Sequence, residues 1–127
     1  MSGGTNRKGR QAIAQDVKAF VQRHNAGMRQ AKKELPEMAQ GFREMYRGIM
    51  KDGALSMKEK ELMAVAVGMA LQCEACVVLH IRGALHAGAS RQEVLETASV
   101  VVMMQGGPGY AYLPEVVEAL DAFEAGE

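Results

Sequence analysis

The chain has no tryptophan, and its three Tyr and three Phe make up only 5% of 127 residues. That removes the aromatic platform on which single-stranded nucleic acids stack. Aliphatic side chains and ten methionines are left to fill the core, a composition that favours packed helices. No apolar run reaches the 18 or more residues of a membrane span. Residues 1–10 are polar with no apolar segment behind them, so they are expected to form a loose, flexible tail and not a secretory signal. Cytoplasm is the expected compartment. Net charge is also absent, but it is unevenly balanced: residues 1–60 carry 13 Lys and Arg against 6 Asp and Glu, net +7, and residues 61–127 carry 2 against 9, net −7. The basic residues of the first half alternate with acidic ones along amphipathic stretches. They are expected to form solvated faces or complementary surfaces between subunits, with no role in nucleic-acid binding.

What is present is one domain's worth of chain. Apolar positions from Gln11 to Lys33 recur at mostly helical spacing, and Leu35-Pro36 marks the start of a second helix, running to about Met50. Asp52-Gly53 makes a turn. Ser56 with Glu59 is a capping box, which predicts a third helix from about Met57 carrying Glu61 in its second turn. Its body, Leu62 to Leu71, is apolar nearly all round, so it is expected to be buried on most sides, by its own subunit or a neighbour. Gly88 ends the following segment, and Ser90 with Glu93 caps a further helix to about Gln105. Gly106 to Gly109 breaks the chain before a short turn and a terminal helix ending near Phe123. The expected fold is all-α, five to seven helices in one domain over residues 11–127.

The chemistry gathers in twenty residues. Cys73 and Cys76 are the two cysteines of the chain; His80 follows Cys76 by four positions, and Glu61 precedes Cys73 by twelve. At about 100° per residue, Cys73, Cys76 and His80 share one helical stripe, and Cys76 and His80 are close enough to meet. A helix start placed at the thiol pair lowers thiol pKa values, because free N–H groups and the dipole favour negative charge there. His80 can accept the proton of Cys76, and Glu61, on a helix folded back alongside, can orient His80 or relay the proton. The two thiols can then close a disulfide once one has become a sulfenic acid. Zinc is the rival reading, with Cys73, Cys76, His80 and Glu61 as four ligands, but His24 and His86 lack the spacing of a second ligand pair. Haem attachment requires His directly after the second Cys, where Val77 stands.

The pattern Glu61, eleven residues, Cys73-x-x-Cys76, three residues, His80 resembles the signature of the alkyl hydroperoxidase D branch of the carboxymuconolactone decarboxylase superfamily. Met57 to Met63, Gly83 to Ser90 and Gly106 to Pro108 match the surroundings, so the resemblance covers about residues 40–124. It implies an all-α fold assembled as a homotrimer or homohexamer, and a thiol-dependent peroxidase or disulfide reductase activity in antioxidant defence. Glu61, Cys73, Cys76 and His80 would be the catalytic residues. It implies no bound cofactor or metal. The implied partners are a hydroperoxide or disulfide substrate, an external dithiol donor of lipoyl or thioredoxin type, and a partner peroxidase. Many relatives have Gly just before the first Cys, where this chain has Leu71-Gln72. The decarboxylase branch generally lacks the thiol pair.

Within that reading, Cys76 is expected to attack, with His80 as base and Glu61 setting its orientation, while Cys73 resolves and meets the reductant. The opposite order stays open, since the first Cys receives most of the helix-end field. A non-catalytic metal-binding or redox-sensing module, and a decarboxylase-like lyase with incidental thiols, are the alternatives. Glu74 is expected to face solvent, His86 to lie at the surface or an interface, and Met63, Met69, Met103 and Met104 to fill the core. Tyr110 and Tyr112 are candidates for a substrate entrance or an interface.

Overall fold

The computed structural model describes residues 7–125, with side chains from residue 15 onward. It contains seven helices and, among the described residues, no strand: α1 (Arg7–Glu34), α2 (Pro36–Ile49), α3 (Met57–Ala70), α4 (Glu74–His86), α5 (Arg91–Gln105), α6 (Gly107–Ala111) and α7 (Leu113–Glu124). The all-α expectation holds. Helix α1 begins at Arg7, within the ten residues expected to form a loose tail; residues 1–6 lie outside the described residues. No helix among those described is long and apolar enough to cross a membrane.

Both expected capping boxes form. The Ser56 hydroxyl accepts from the Glu59 N–H at 3.1 Å and the Glu59 carboxylate accepts from the Ser56 N–H at 3.1 Å, which starts α3 at Met57. Ser90 and Glu93 repeat the arrangement at the head of α5. Each box satisfies two N–H groups that the helix itself leaves unpaired. Lys58 reaches Glu93 at 2.8 Å and ties the two helix starts together. Lys60 donates to the carbonyls of Ile49 (2.7 Å) and Lys51 (2.8 Å), so a cation closes the negative end of α2 and holds it against α3.

The core lies where α3, α4, α5 and α7 meet, with α1 packed on α7 and α4. Val65 and Met69 of α3, Val77 and Ile81 of α4, Val94 of α5, and Val116 and Leu120 of α7 are fully or almost fully buried. Each such side chain removed from water is worth about 1.5–3 kcal/mol. Aliphatic and thioether groups do this work, as the shortage of aromatics requires.

One expectation about burial fails within the single subunit, and another is met there on one side only. The apolar body of α3 is covered on one side only: Val65, Gly68 and Met69 are buried, whereas Met63, Val67 and the following Leu71 are exposed, Leu71 by 72%. Of the four methionines expected in the core only Met69 is there; Met63, Met103 and Met104 stand in solvent, Met104 by 77%. The reason is geometric. One subunit has too few helices to surround α3 and α5, so a helix apolar all round keeps an uncovered side. Helix α2 has no buried residue at all, and Met38, Phe42, Met45 and Ile49, spaced four, three and four apart, form an exposed apolar stripe along it.

Candidate functional site

The chain turns from α3 into α4 through a Schellman motif. Gln72 N–H donates to Met69 O (3.0 Å) and Cys73 N–H to Gly68 O (2.9 Å), while Gln72 takes the left-handed conformation at φ 53°. Cys73 then becomes the N-cap of α4, its sulfur accepting from the Cys76 N–H at 3.2 Å. The stripe expected for one continuous helix is therefore built differently. Cys73 stands just outside α4, while Cys76 and His80 lie one turn apart within it. Cys73 and Cys76 are joined as a disulfide with Cα atoms 5.2 Å apart, inside the range that allows the bond.

Glycine is the residue that normally takes the position of Gln72, since a side chain there costs about 1–2 kcal/mol. Gln72→Gly is therefore expected to raise stability by up to about 1 kcal/mol, the gain being reduced by the greater freedom of glycine in the unfolded chain. Urea unfolding of the two proteins checks it, and a destabilised variant would show that the Gln72 side chain makes a compensating contact.

Helices α3 and α4 then run antiparallel in very close contact, and a glycine makes room at each end. A Cβ on Gly68 would lie 2.8 Å from the Cys76 Cβ, and one on Gly83 would lie 2.7 Å from Cδ and Oε2 of Glu61. The pairing is regular: Gly68 opposite Cys76, and seven residues further along both helices Glu61 opposite Gly83. Seven residues is two turns, so Glu61 and Gly68 share one face of α3, as Cys76 and Gly83 share one face of α4. The Glu61 carboxylate, only 4% exposed, lies in the groove that Gly83 leaves and bonds His80 Nδ1 through Oε2 at 2.7 Å. His80 is 25% exposed. With Glu61 ionised, Nδ1 carries the proton of that bond and Nε2 is the basic nitrogen, one turn from Cys76 along α4.

The four residues singled out by spacing are thus brought to one α3–α4 interface, with the carboxylate buried, the imidazole partly open, and both sulfurs at the head of α4. Gly68 and Gly83 were legible only as neighbours of the motif. A glycine inside a helix costs about 1 kcal/mol against alanine, so two of them, each seven residues from a reactive side chain, are the signal of a close crossing. Spacing gave no sign of Gln105, whose amide donates to Ala70 O at 2.8 Å and closes the end of α3 next to the Cys73 corner. Nor did it point to Tyr46, whose hydroxyl, partly shielded from water, is pushed above its ordinary pKa first by that desolvation and then by the Glu61 charge. Glu74 is exposed as expected, His86 is also at the surface, Tyr110 is exposed, and Tyr112 is half-buried. Among the described residues no group of three or more His, Cys, Asp or Glu is arranged to hold a metal ion.

Comparison with known proteins agrees with this architecture. The model of the carboxymuconolactone decarboxylase family matches residues 36–125. A crystal structure of a protein of that family from Legionella pneumophila is 36% identical, covers 91% of this chain and 95% of its own, and superposes with a TM-score of 0.65. One from Thermotoga maritima, at 24% identity, shares the fold with a TM-score of 0.63 over 68% of this chain and 90% of its own. An uncharacterized protein from Cupriavidus necator is 36% identical over 84 residues, 63% of this chain and 74% of its own length.

Proposed function

The chain belongs to the carboxymuconolactone decarboxylase family, and from that premise, together with its thiol pair, we propose that it is a thiol-dependent peroxidase or disulfide reductase cycling between a Cys73/Cys76 dithiol and disulfide. The observation that carries this reading is the Glu61–His80 bond set against the head of the helix that holds the disulfide. A structural disulfide needs no buried carboxylate aligned with a histidine one turn away.

In the peroxidase cycle the Cys76 thiolate, its proton taken by His80 Nε2, attacks the distal oxygen of a hydroperoxide. The O–O bond breaks, the alkoxide leaves and takes a proton from the imidazolium, and Cys76 becomes a sulfenic acid. Cys73 thiolate attacks that sulfur and water departs, forming the disulfide. Two protein thiols and ROOH thus give ROH, water and one disulfide. An external dithiol, of lipoyl or thioredoxin type, restores the thiols by exchange. Glu61 keeps the imidazole oriented and stabilises it while it holds the proton. The reaction needs no resident cofactor, and a reducing cytoplasm suits it. A peroxide-consumption assay with several candidate dithiols tests the proposal. Turnover supports it, whereas thiols that stay unreactive while the protein carries stoichiometric zinc would favour the metal-binding alternative.

The exposed faces support assembly into a trimer or hexamer. The α2 stripe is one uncovered surface; Val67, Val100 and Met104 lining a groove between α3 and α5 form part of a second. Two different sticky faces on one subunit favour a head-to-tail contact that closes as a ring. Light scattering at micromolar concentration is expected to give a mass at least three times that of the 13.7 kDa chain; a monomer would refute the assembly.

A further inference from the structure

We propose that α2 of one copy docks into the groove between α3 and α5 of the next copy, so that each Cys73–Cys76 disulfide stands at a boundary between two subunits. The proposal rests on the assembly inferred above and specifies which surfaces meet and what they enclose.

Leu35, Met38, Phe42, Met45 and Ile49 follow one another at three, four, three and four residues, the spacing of a seam that packs against a second helix. All five are at least half exposed. Helix α2 meets its own subunit chiefly at the junction with α1 and, at its C-terminal end, through the Lys60 ammonium. A helix of 14 residues is marginal in water unless its apolar face is covered. Gly41 and Gly48 flank the seam two turns apart, and a Cβ on either would meet nothing within 4 Å. Glycine weakens a helix interior. With no close neighbour in the subunit to require them, these two leave room for a backbone from outside.

The groove offers the matching surface. It holds about 320 Å³, with Ala66, Val67 and Ala70 of α3 on one wall and Val100, Met104 and Gln105 of α5 on the other. The alanines leave a trough beside the exposed Val67, Val100 and Met104, which receives the bulky side chains of a helix as ridges enter grooves. Helix α3, like α2, has 14 residues, about 21 Å, so the lengths agree. Charge selects a second copy as the occupant. Helices α1 and α2 together carry ten Lys and Arg against four Asp and Glu, whereas α3 to α7 carry four against nine. A basic arm and an acidic body on different copies attract, while two arms set face to face repel. The exposed apolar side chains of the two faces, at roughly 100 Å² each, amount to about 1,000 Å², the area at which a specific contact becomes stable.

The groove ends at the redox corner. There the Gln105 amide donates to Ala70 O at 2.8 Å, and Cys73 is three residues beyond Ala70, no more than about 11 Å away. Leu71, between them and exposed, carries the apolar surface of α3 up to the disulfide. A helix seated along the groove therefore covers Leu71 and narrows the approach to Cys73.

Two single variants and their mixture test the docking by light scattering at micromolar concentration. Phe42→Glu disables the arm and Met104→Glu the groove; both side chains are exposed in the subunit, so neither change disturbs its core. Each protein alone is expected to be monomeric, its dissociation constant raised by about a hundredfold or more. Mixed in equal amounts, the intact arm of the Met104→Glu chain enters the intact groove of the Phe42→Glu chain, and a species of twice the 13.7 kDa chain mass is expected. Pairing of α2 with α2 would leave Met104→Glu assembled, and pairing of groove with groove would leave Phe42→Glu assembled. Either result, or a mixture that stays monomeric, would overturn the proposal while the assembly itself stands; a monomeric unsubstituted protein would remove both. Met45→Gln and Val100→Gln replace either variant if circular dichroism shows that it does not fold. The disulfide is also expected to open to 2-mercaptoethanol about fivefold faster in the monomeric variants than in the assembled protein, followed by alkylation and mass. Equal rates would show that the arm stops short of Cys73 and would overturn the place of the disulfide at the boundary.

Discussion

Cys76→Ser is expected to lower peroxide consumption by about a thousandfold or more, because it removes the sulfur that the adjacent imidazole can deprotonate. Cys73→Ser should behave differently. It retains the attacking thiol but not the resolving one, so one equivalent of peroxide is consumed and Cys76 sulfenic acid accumulates. Trapping with a sulfenic-acid reagent and mass analysis separates the two variants. The geometry makes the contrast worth measuring, since it contains an argument for each order of attack. His80 lies one turn from Cys76 on the same helix, which favours proton transfer there. Yet it is the Cys73 sulfur that accepts a backbone N–H, from Cys76 at 3.2 Å, and a donor aimed at sulfur favours the thiolate at that position. The two are compatible if Cys76 attacks peroxide and Cys73 attacks the resulting sulfenic acid. Sulfenic acid forming at Cys73 in the Cys76→Ser protein, at the wild-type rate, would reverse the assignment.

Gly83→Ala is expected to reduce peroxidase turnover by about a hundredfold through a residue that never touches substrate. The added methyl would lie 2.7 to 2.8 Å from all three carboxylate atoms of Glu61, closer than side chains pack, so the carboxylate must leave its place and His80 loses its partner. Because those atoms are the end of a flexible side chain, the helix crossing itself can persist. Gly68→Ala is the informative contrast. Its methyl would meet the Cys76 Cβ at 2.8 Å and the Val77 backbone nitrogen at 3.3 Å, atoms that move only if α4 moves, so it should cost about 1–3 kcal/mol of stability. The Gly83→Ala/Glu61→Gln double variant should lose no more activity than either single one, since both act on the same bond. Additive losses, or a Gly83→Ala enzyme as fast as wild type, would show that Glu61 does not act through His80.

The places where sequence reasoning succeeded share a cause. Capping boxes at Ser56/Glu59 and Ser90/Glu93, the proline entry to α2 and the glycine exit at Gly88 are local: the bonds they make lie within one or two turns of chain, so residue type and spacing suffice. Helix α5 runs from Arg91 to Gln105, as its cap indicates. What went wrong concerned sidedness. Met63, Met103 and Met104 are as apolar as Met69, and nothing in their local pattern says that only one of the four faces another helix of the same subunit.

The sequence by itself determined that this chain is helical, where most of its helices begin, and that two thiols, an imidazole and a carboxylate occur at a spacing that suits proton and sulfur chemistry. Only the tertiary structure decided that the carboxylate meets the imidazole, because Glu61 and His80 are nineteen residues apart on different helices and join only through the register in which α3 packs on α4. That register depends on two missing side chains. Gly68 and Gly83 bring the helix axes close enough for a buried carboxylate to lie between them, and how closely two helices approach depends on both surfaces at once, which no local reading of either one contains.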